Sequence, residues 1–434
     1  MEPVVPKDLL LPLPAPSWLL TVLLLLSFAL HILFVNLMLG GSLLALIAEI
    51  RGLKNRDWDK ISHEIAKTIT VNKSIAVVLG VAPLLTISVL YTVWFYTATT
   101  LTGHTWLAVV PLVILAFLLS YAHKYSWEKL AHSKGLHITL AAAASAVFLI
   151  IPLIFLTEIN LMLYPEQWRA IASFWDALFL SNVLPRYFHF IAATVALAGL
   201  FCAWYFGRAK YFAGLQLETL TRAEVVRSFY AVALAATSAQ LFFGPLLFLT
   251  LPAHVISASV ILILVVILLL AGIAIRWLWL EVAGTGGEPR LARIGGILTV
   301  VVVLMIWARH DIRETAIAPH RALVAAKTAD YTAKMMQAHN YLVMPGGLGG
   351  TVLSPGAQAF SRRCASCHAM DSRLIGPPLK EAAALYRGNP EGIVTWALQP
   401  GRRRPDYPPM PPQQVPRDEL LQIANYIVDT VTKQ

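Results

Sequence analysis

Residues 362–370 read RRCASCHAM, and the rest of the chain is understood by working outward from them. Only three cysteines occur in 434 residues. Two of them, Cys364 and Cys367, are spaced Cys-x-x-Cys, and His368 follows at once. That is the attachment signal of a c-type haem. Two thiols three positions apart sit on one turn, where each can add to a vinyl group of the same porphyrin, and the adjacent imidazole reaches the iron as an axial ligand. A thioredoxin-like redox pair would call for a surrounding βαβ pattern, which is absent. A zinc site would call for a second Cys/His pair, and Cys202 is the only other cysteine.

The flanks extend the reading. SPGAQAFSRRCASCH (354–368) carries Gly356 and Phe360 ahead of the motif. LIGPPL (374–379), the proline-rich RRRPDYPPMPP (402–412) and an amphipathic final segment from Arg417 follow it. Together these resemble a class I cytochrome c over residues 354–434. The resemblance implies that the Pro377 carbonyl orients His368. It also implies that Met410 supplies the sixth iron ligand and that Phe360 meets Tyr426 where the first and last helices cross. Met370 is the competing methionine, but two residues beyond His368 it could hardly reach the opposite haem face. His/Met ligation raises the reduction potential and suits electron transfer.

The preceding 350 residues are of another kind. Over the whole chain 57% of residues are hydrophobic and only 13% charged, about half the charge of a soluble domain, and mean hydropathy is +0.66. Apolar stretches long enough to span a bilayer recur at about 17–48, 74–97, 105–122, 137–163, 187–206, 229–251, 257–280 and 295–309. The first holds no charged residue between Asp8 and Glu49, too long for the apolar region of a signal peptide, so a retained helix is expected. The predicted fold is all-α: a polytopic membrane bundle of about eight spans (residues 1–315), a linker (316–353) ending in the glycine-rich MPGGLGGTVLSPG, and a small α-helical cytochrome c domain (354–434). No P-loop, dinucleotide glycine motif or nucleic-acid module is visible.

The net charge of +10 bears on topology. One set of loops holds Arg51, Lys54, Arg56, Lys60, Lys67 and Lys73, then Lys124, Lys129 and Lys134, then Arg208, Lys210, Arg222 and Arg227, and finally Arg290 and Arg293. The opposite loops hold little more than Arg169 and Arg186. The positive-inside rule assigns the rich set to the cytoplasm. Both termini and the haem domain are then expected on the periplasmic side of a bacterial inner membrane.

Ionisable groups inside spans are costly and mark function. His31 lies in SFALHILFVNLMLGG, His189 in LPRYFHFIAATVALAG and Glu158 in FLTEINLMLYPEQ. A lone intramembrane histidine is equally well a hydrogen-bonded packing residue. In order and spacing, however, these strings, with TVNKSIAVVLGVAPLL and RSFYAVALAATSAQ, resemble subunit I of the cytochrome bd quinol oxidases over about residues 18–245. The resemblance implies haem b at His189 and a second intramembrane haem at His31, and hence a further membrane subunit as partner. Several family features are missing. Only TLPAHVIS joins spans six and seven where the family has its long quinol-binding loop. The Gly-Arg-Gln-Pro-Trp string is absent. The third span has no glutamate and the seventh has no methionine to pair with His189. Met305, His310 and His254 are the available substitutes.

The expected role is therefore electron transfer between the quinone pool, or a partner membrane subunit, and a periplasmic cytochrome or other carrier. It would use one covalent haem c and one or two haems b. An oxygen reductase with a fused cytochrome c input domain, and a membrane anchor or assembly subunit bearing only the c haem, are the alternatives. Arg186 would neutralise a haem propionate or snorkel at the interface. Glu158 would accept a quinol proton or cap a helix end. Arg402, Arg403 and Arg404 would dock an acidic partner or form a solvated basic face. No nucleic-acid partner is expected.

Overall fold

The computed structural model describes residues 13–284, 290–343, 354–386 and 388–432. Its regular structure among these residues is helical, and it falls into two compact units that divide between Thr328 and Ala329. The first unit contains α1 (Ser17–Gly52), α2 (Arg56–Leu90), α3 (Thr92–Leu101), α4 (Gly103–Tyr125) and α5 (Lys134–Leu161). After a 3-10 turn at Pro165–Ala170 come α6 (Phe174–Leu178), α7 (Val183–Gly207), α8 (Ala209–Ala213), α9 (Arg222–Leu249) and α10 (Ala258–Ala283). The division falls within α11 (Leu291–Val343).

Among the described residues seven helices are long and apolar enough to cross a membrane: α1, α4, α5, α7, α9, α10 and α11 as far as Met336. The stretch read from sequence as a span at 74–97 is a broken pair, Ser74–Leu90 and Thr92–Leu101, bent by 108°. The break is held at Tyr91, which is fully buried. Its hydroxyl donates to Glu314 Oε1 at 2.5 Å, and the Arg313 guanidinium lies over its ring at 5.2 Å. Residues 316–343, expected as linker, continue α11. The helix-favouring alanines of RALVAAKTADYTAK outweigh the polar composition. The rest of that segment, 344–353, lies outside the described residues.

Within the bundle α1 packs along α2 and α7, α7 along α9, α9 against α10, and α4 against α5. Lipid tails are as apolar as leucine, so these contacts rest on close packing and hydrogen bonds rather than on the hydrophobic effect. Gly40 brings α1 against α7 so closely that a Cβ there would overlap the Thr194 carbonyl. The Ser62 hydroxyl donates to the Ala45 carbonyl at 2.7 Å, binding α2 to α1. The inner core gathers Leu44, Ile61, Phe206, Phe229, Leu278 and Ile294 from six helices. Broad leucine and valine faces stay uncovered, among them Leu26, Val78, Leu118, Leu262 and Leu269, as lipid-facing surfaces are.

The lysine- and arginine-rich loops meet at one end. The Asp57 carboxylate accepts the amides of Glu218, Thr219 and Leu220 at 2.7–3.1 Å, Lys134 pairs with Asp59 at 2.6 Å, and Arg227 reaches Gly284. Burial pushes the Asp57 carboxyl up, but the four donors, three amides and the Thr219 hydroxyl, outweigh it. The group stays well below the ordinary carboxylate range.

The second unit contains α12 (Pro355–Arg363), α13 (Leu379–Ala384), α14 (Pro390–Leu398) and α15 (Arg417–Thr432). Ser354 caps α12 by accepting the Ala357 amide at 3.3 Å. Where α12 crosses α15, a Cβ on Gly356 would overlap the Gln422 carbonyl, so only glycine permits the approach. Phe360 and Tyr426 meet there with ring centroids 5.6 Å apart. Ala359, Leu379, Val394, Leu420, Ile423, Ala424 and Ile427 complete a small core.

Candidate haem-binding sites

In the C-terminal unit the motif cysteines sit just past the end of α12. The Cys364 carbonyl accepts the amides of Cys367 at 3.1 Å and His368 at 2.9 Å, closing a tight turn. Both thiols are half-buried and free. His368 Nδ1 donates to the Pro377 carbonyl at 3.1 Å, which settles the tautomer and leaves Nε2 for a metal. Gly376 lies flat against the imidazole, with no room for a Cβ. A cavity of about 240 Å³ opens beside this ring, lined by Cys364, His368, Pro377 and Met410 with apolar walls from Leu379, Val394 and Ile423. Met370 packs on the core but is not among the residues lining that cavity. The Cys364 thiol, an imidazole with its outer nitrogen engaged and a thioether thus share one apolar slot, and Cys367 stands on the turn beside it; together these are the donor set of a c-type haem.

Three arginines rim the domain. Arg403 stacks on Trp396 at 4.4 Å and on Tyr386 at 5.2 Å. Arg404 pairs with Glu381 and Asp406 at 2.9 and 2.8 Å. Arg402 donates to the Pro405 carbonyl at 3.1 Å. The run is largely occupied by its own domain.

A sequence model of the cytochrome c family matches residues 353–430. Over 79 residues the chain is 33% identical to cytochrome c-551 of Pseudomonas denitrificans, covering 17% of this chain and 96% of that one. Cytochrome c-551 of Pseudomonas aeruginosa is 32% identical over 89 residues, 18% of this chain and 86% of that protein. Through its C-terminal domain the chain belongs to the cytochrome c family. This cytochrome c domain carries covalent haem c. Over 76% of this chain and 97% of that chain, the structure is similar to a bd oxidase chain from Geobacillus thermodenitrificans, with a TM-score of 0.54 at 12% identity. At that identity the likeness concerns the fold. This chain is thus a membrane haem protein of electron transfer in which a bd-oxidase-like bundle is joined to a cytochrome c.

The bundle's ionisable groups separate into three settings. His31 on α1 donates from Nδ1 to the Ala76 carbonyl of α2 at 2.9 Å and is pressed against Gly80, whose Cβ would fall 2.8 Å from the ring. His189 on α7 faces Gly244 of α9, with 3.6 Å of clearance for a Cβ, and its buried Nδ1 has no hydrogen-bond partner. Glu158 on α5 is buried and accepts the Thr102 hydroxyl, while its Oε2 is buried without a partner. Of the substitute ligands, His254 is exposed on a 3-10 turn, and Met305 and His310 are half-buried on α11.

Arg186, read from sequence, proves to be one of three. Arg186 donates to Asn182 Oδ1 at 2.5 Å. Arg309 lies over the Phe28 ring at 4.6 Å and has a buried, unpartnered Nε. Arg313 is 6% exposed. The three lie near enough to repel one another. The nearby acid Glu314 bonds Tyr91 and Arg321 instead. Arg309 and Arg313 sit at the end of the stretch taken as the last span, where ARHDIRETA looks like a polar span terminus. Nothing in their local spacing signals that they turn inward.

Proposed function

We propose that the chain transfers electrons between the quinone pool, or a partner membrane subunit, and a periplasmic cytochrome or other carrier. It would hold one or two b-type haems in the bundle and one c-type haem in the C-terminal domain. The observation that carries the reading is a group of guanidiniums, Arg313 buried and Arg186 and Arg309 half-buried. Arg186, Arg309 and Arg313 place positive charge in the membrane region without a matching carboxylate, a costly arrangement unless an anionic group completes it. Haem propionates are such anions, and the unpartnered His189 imidazole is the nearest kind of group to hold iron. Haem at both places supplies one-electron redox chemistry at potentials set by its axial ligands.

The chain's own residues would then divide the work. Cys364 and Cys367 anchor the c-type group, His368 and Met410 hold its iron, and Pro377 fixes the orientation of His368. In the bundle His189 serves as axial ligand, with Met305 or His310 the available second ligands, and His31 holds a second haem or packs α1 on α2. Arg186, Arg309 and Arg313 neutralise propionates. With the basic loops facing the cytoplasm, the cytochrome c domain faces the periplasm, the compartment where c-type haem is attached. The direction from quinol to cytochrome c follows from the high potential that His/Met ligation confers.

The test is a pyridine haemochrome assay with dithionite-reduced-minus-oxidised spectra on the detergent-purified chain, wild type and His189→Ala. One c haem together with b haem that the substitution diminishes supports the reading. A c signal alone makes the bundle an anchor. A high-spin component that binds carbon monoxide makes it an oxygen reductase.

A further inference from the structure

Eighteen residues beyond His31, about 27 Å along α1, the bundle holds a second buried polar cluster that electron transfer leaves unused. Glu49 of α1, His123 of α4 and His137 of α5 are 1%, 6% and 0% exposed. One carboxylate oxygen and one nitrogen from each ring all lie within 4.8 Å of one another. His123 Nε2 stands 2.8 Å from Glu49 Oε2, and His137 Nδ1 contacts Oε1. On its far side His137 Nε2 donates to the His123 carbonyl at 2.8 Å.

That last bond decides the chemistry. A carbonyl only accepts, so Nε2 of His137 carries the hydrogen. In the neutral ring Nδ1 therefore turns a lone pair toward a carboxylate oxygen. Two lone pairs in a buried contact attract only through a cation between them, which is either a proton or a metal ion.

Three features favour the metal. Two imidazoles and one carboxylate are the donor set of zinc-class sites. The outer nitrogen of His137 is anchored on a backbone carbonyl, as in metal-ligating histidines. Trp127 walls both rings, with centroids 4.6 Å from His137 and 5.1 Å from His123, a rigid enclosure. Lys134 approaches Glu49 Oε1 at 3.8 Å, but its charge is matched by Asp59 at 2.6 Å and rests over Trp127 at 4.6 Å.

We propose that Glu49, His123 and His137 bind one divalent metal ion of the zinc class, clamping α1, α4 and α5 together at the basic end of the bundle. Binding displaces the protons held between the rings and the carboxylate to solvent, and involves no change in oxidation state.

The test uses the haem-loaded full chain in detergent, dialysed against micromolar zinc chloride, with metal counted by plasma mass spectrometry. The comparison is with His123→Leu/His137→Leu and with Glu49→Gln. The double variant should hold one zinc fewer per chain than wild type, and Glu49→Gln should bind at least tenfold more weakly. Zinc should raise the melting temperature of the wild type by several degrees and leave that of Glu49→Gln unmoved. Equal zinc content in all three proteins, or none retained by the wild type, overturns the proposal and leaves a proton-held ion pair. Should the double variant lose its haem c or its elution position, Glu49→Gln, which keeps the shape of the cluster, decides by both readouts.

Discussion

The cytochrome c domain and the membrane bundle assemble their functional groups in opposite ways. In the domain, Cys364, Cys367, His368 and Pro377 lie within fourteen residues of chain, and one tight turn positions them. In the bundle, Arg186 of α7 meets the Arg309/Arg313 pair of α11, and Glu49 of α1 meets His123 of α4 and His137 of α5, only through helix packing. A site made by local covalent geometry survives changes elsewhere in the fold, whereas one made by helix packing depends on every contact that sets the helices. Substitutions can break or sharpen this contrast.

The largest effect is expected where the chemistry is covalent. Cys364→Ala/Cys367→Ala should take covalent haem from one equivalent to none, read by haem staining of a denaturing gel, and leave helical content of the bundle unchanged. Loss of the bundle as well would contradict the independence of the two units. Next, Arg309→Leu should release more than half of any b-type haem while haem c stays at one equivalent, because it removes the guanidinium whose buried Nε has no protein partner. An unchanged b signal would remove Arg309 from the site.

A packing change should act in the reverse direction. Gly40→Leu forces a side chain into the Thr194 backbone and should cost about 3 kcal/mol or more, seen as a lower melting temperature of the bundle with the c spectrum intact. The smallest effect is at the loop junction. Asp57→Asn removes a charge that accepts four donors, for about 1–3 kcal/mol. Because the folded Asp57 carboxyl titrates below its unfolded value, its contribution is present above about pH 4 and fades as pH falls below that. The stability gap between wild type and variant should therefore be full and steady above pH 5 and shrink as pH falls below 4. A constant gap across that range would deny the charge its role.

Much was legible before any coordinates. Runs of uncharged apolar residues announce helices that cross a bilayer, because unsatisfied backbone groups leave few other structures there. Cys-x-x-Cys-His announces haem because its spacing is itself the geometry. His189 and Arg186 were readable as costly residues within or beside a span. The bend at Tyr91 was not, since Tyr91 is held from α11 by Glu314 and Arg313, more than two hundred residues away. Nor were Arg309 and Arg313, whose inward aim depends on how α11 is turned.

By itself, then, the sequence determined the all-α class, the membrane setting, the family of the C-terminal domain and the covalent haem motif. The class and the setting follow from composition, the haem motif from spacing within one turn, and the family from the resemblance of the strings that flank the motif. Tertiary structure alone decided which charges come together: Arg186 with the Arg309/Arg313 pair, and the carboxylate with two imidazoles. The physical reason is that one helix's periodicity records which face is apolar, but not which residue of another helix will stand opposite it.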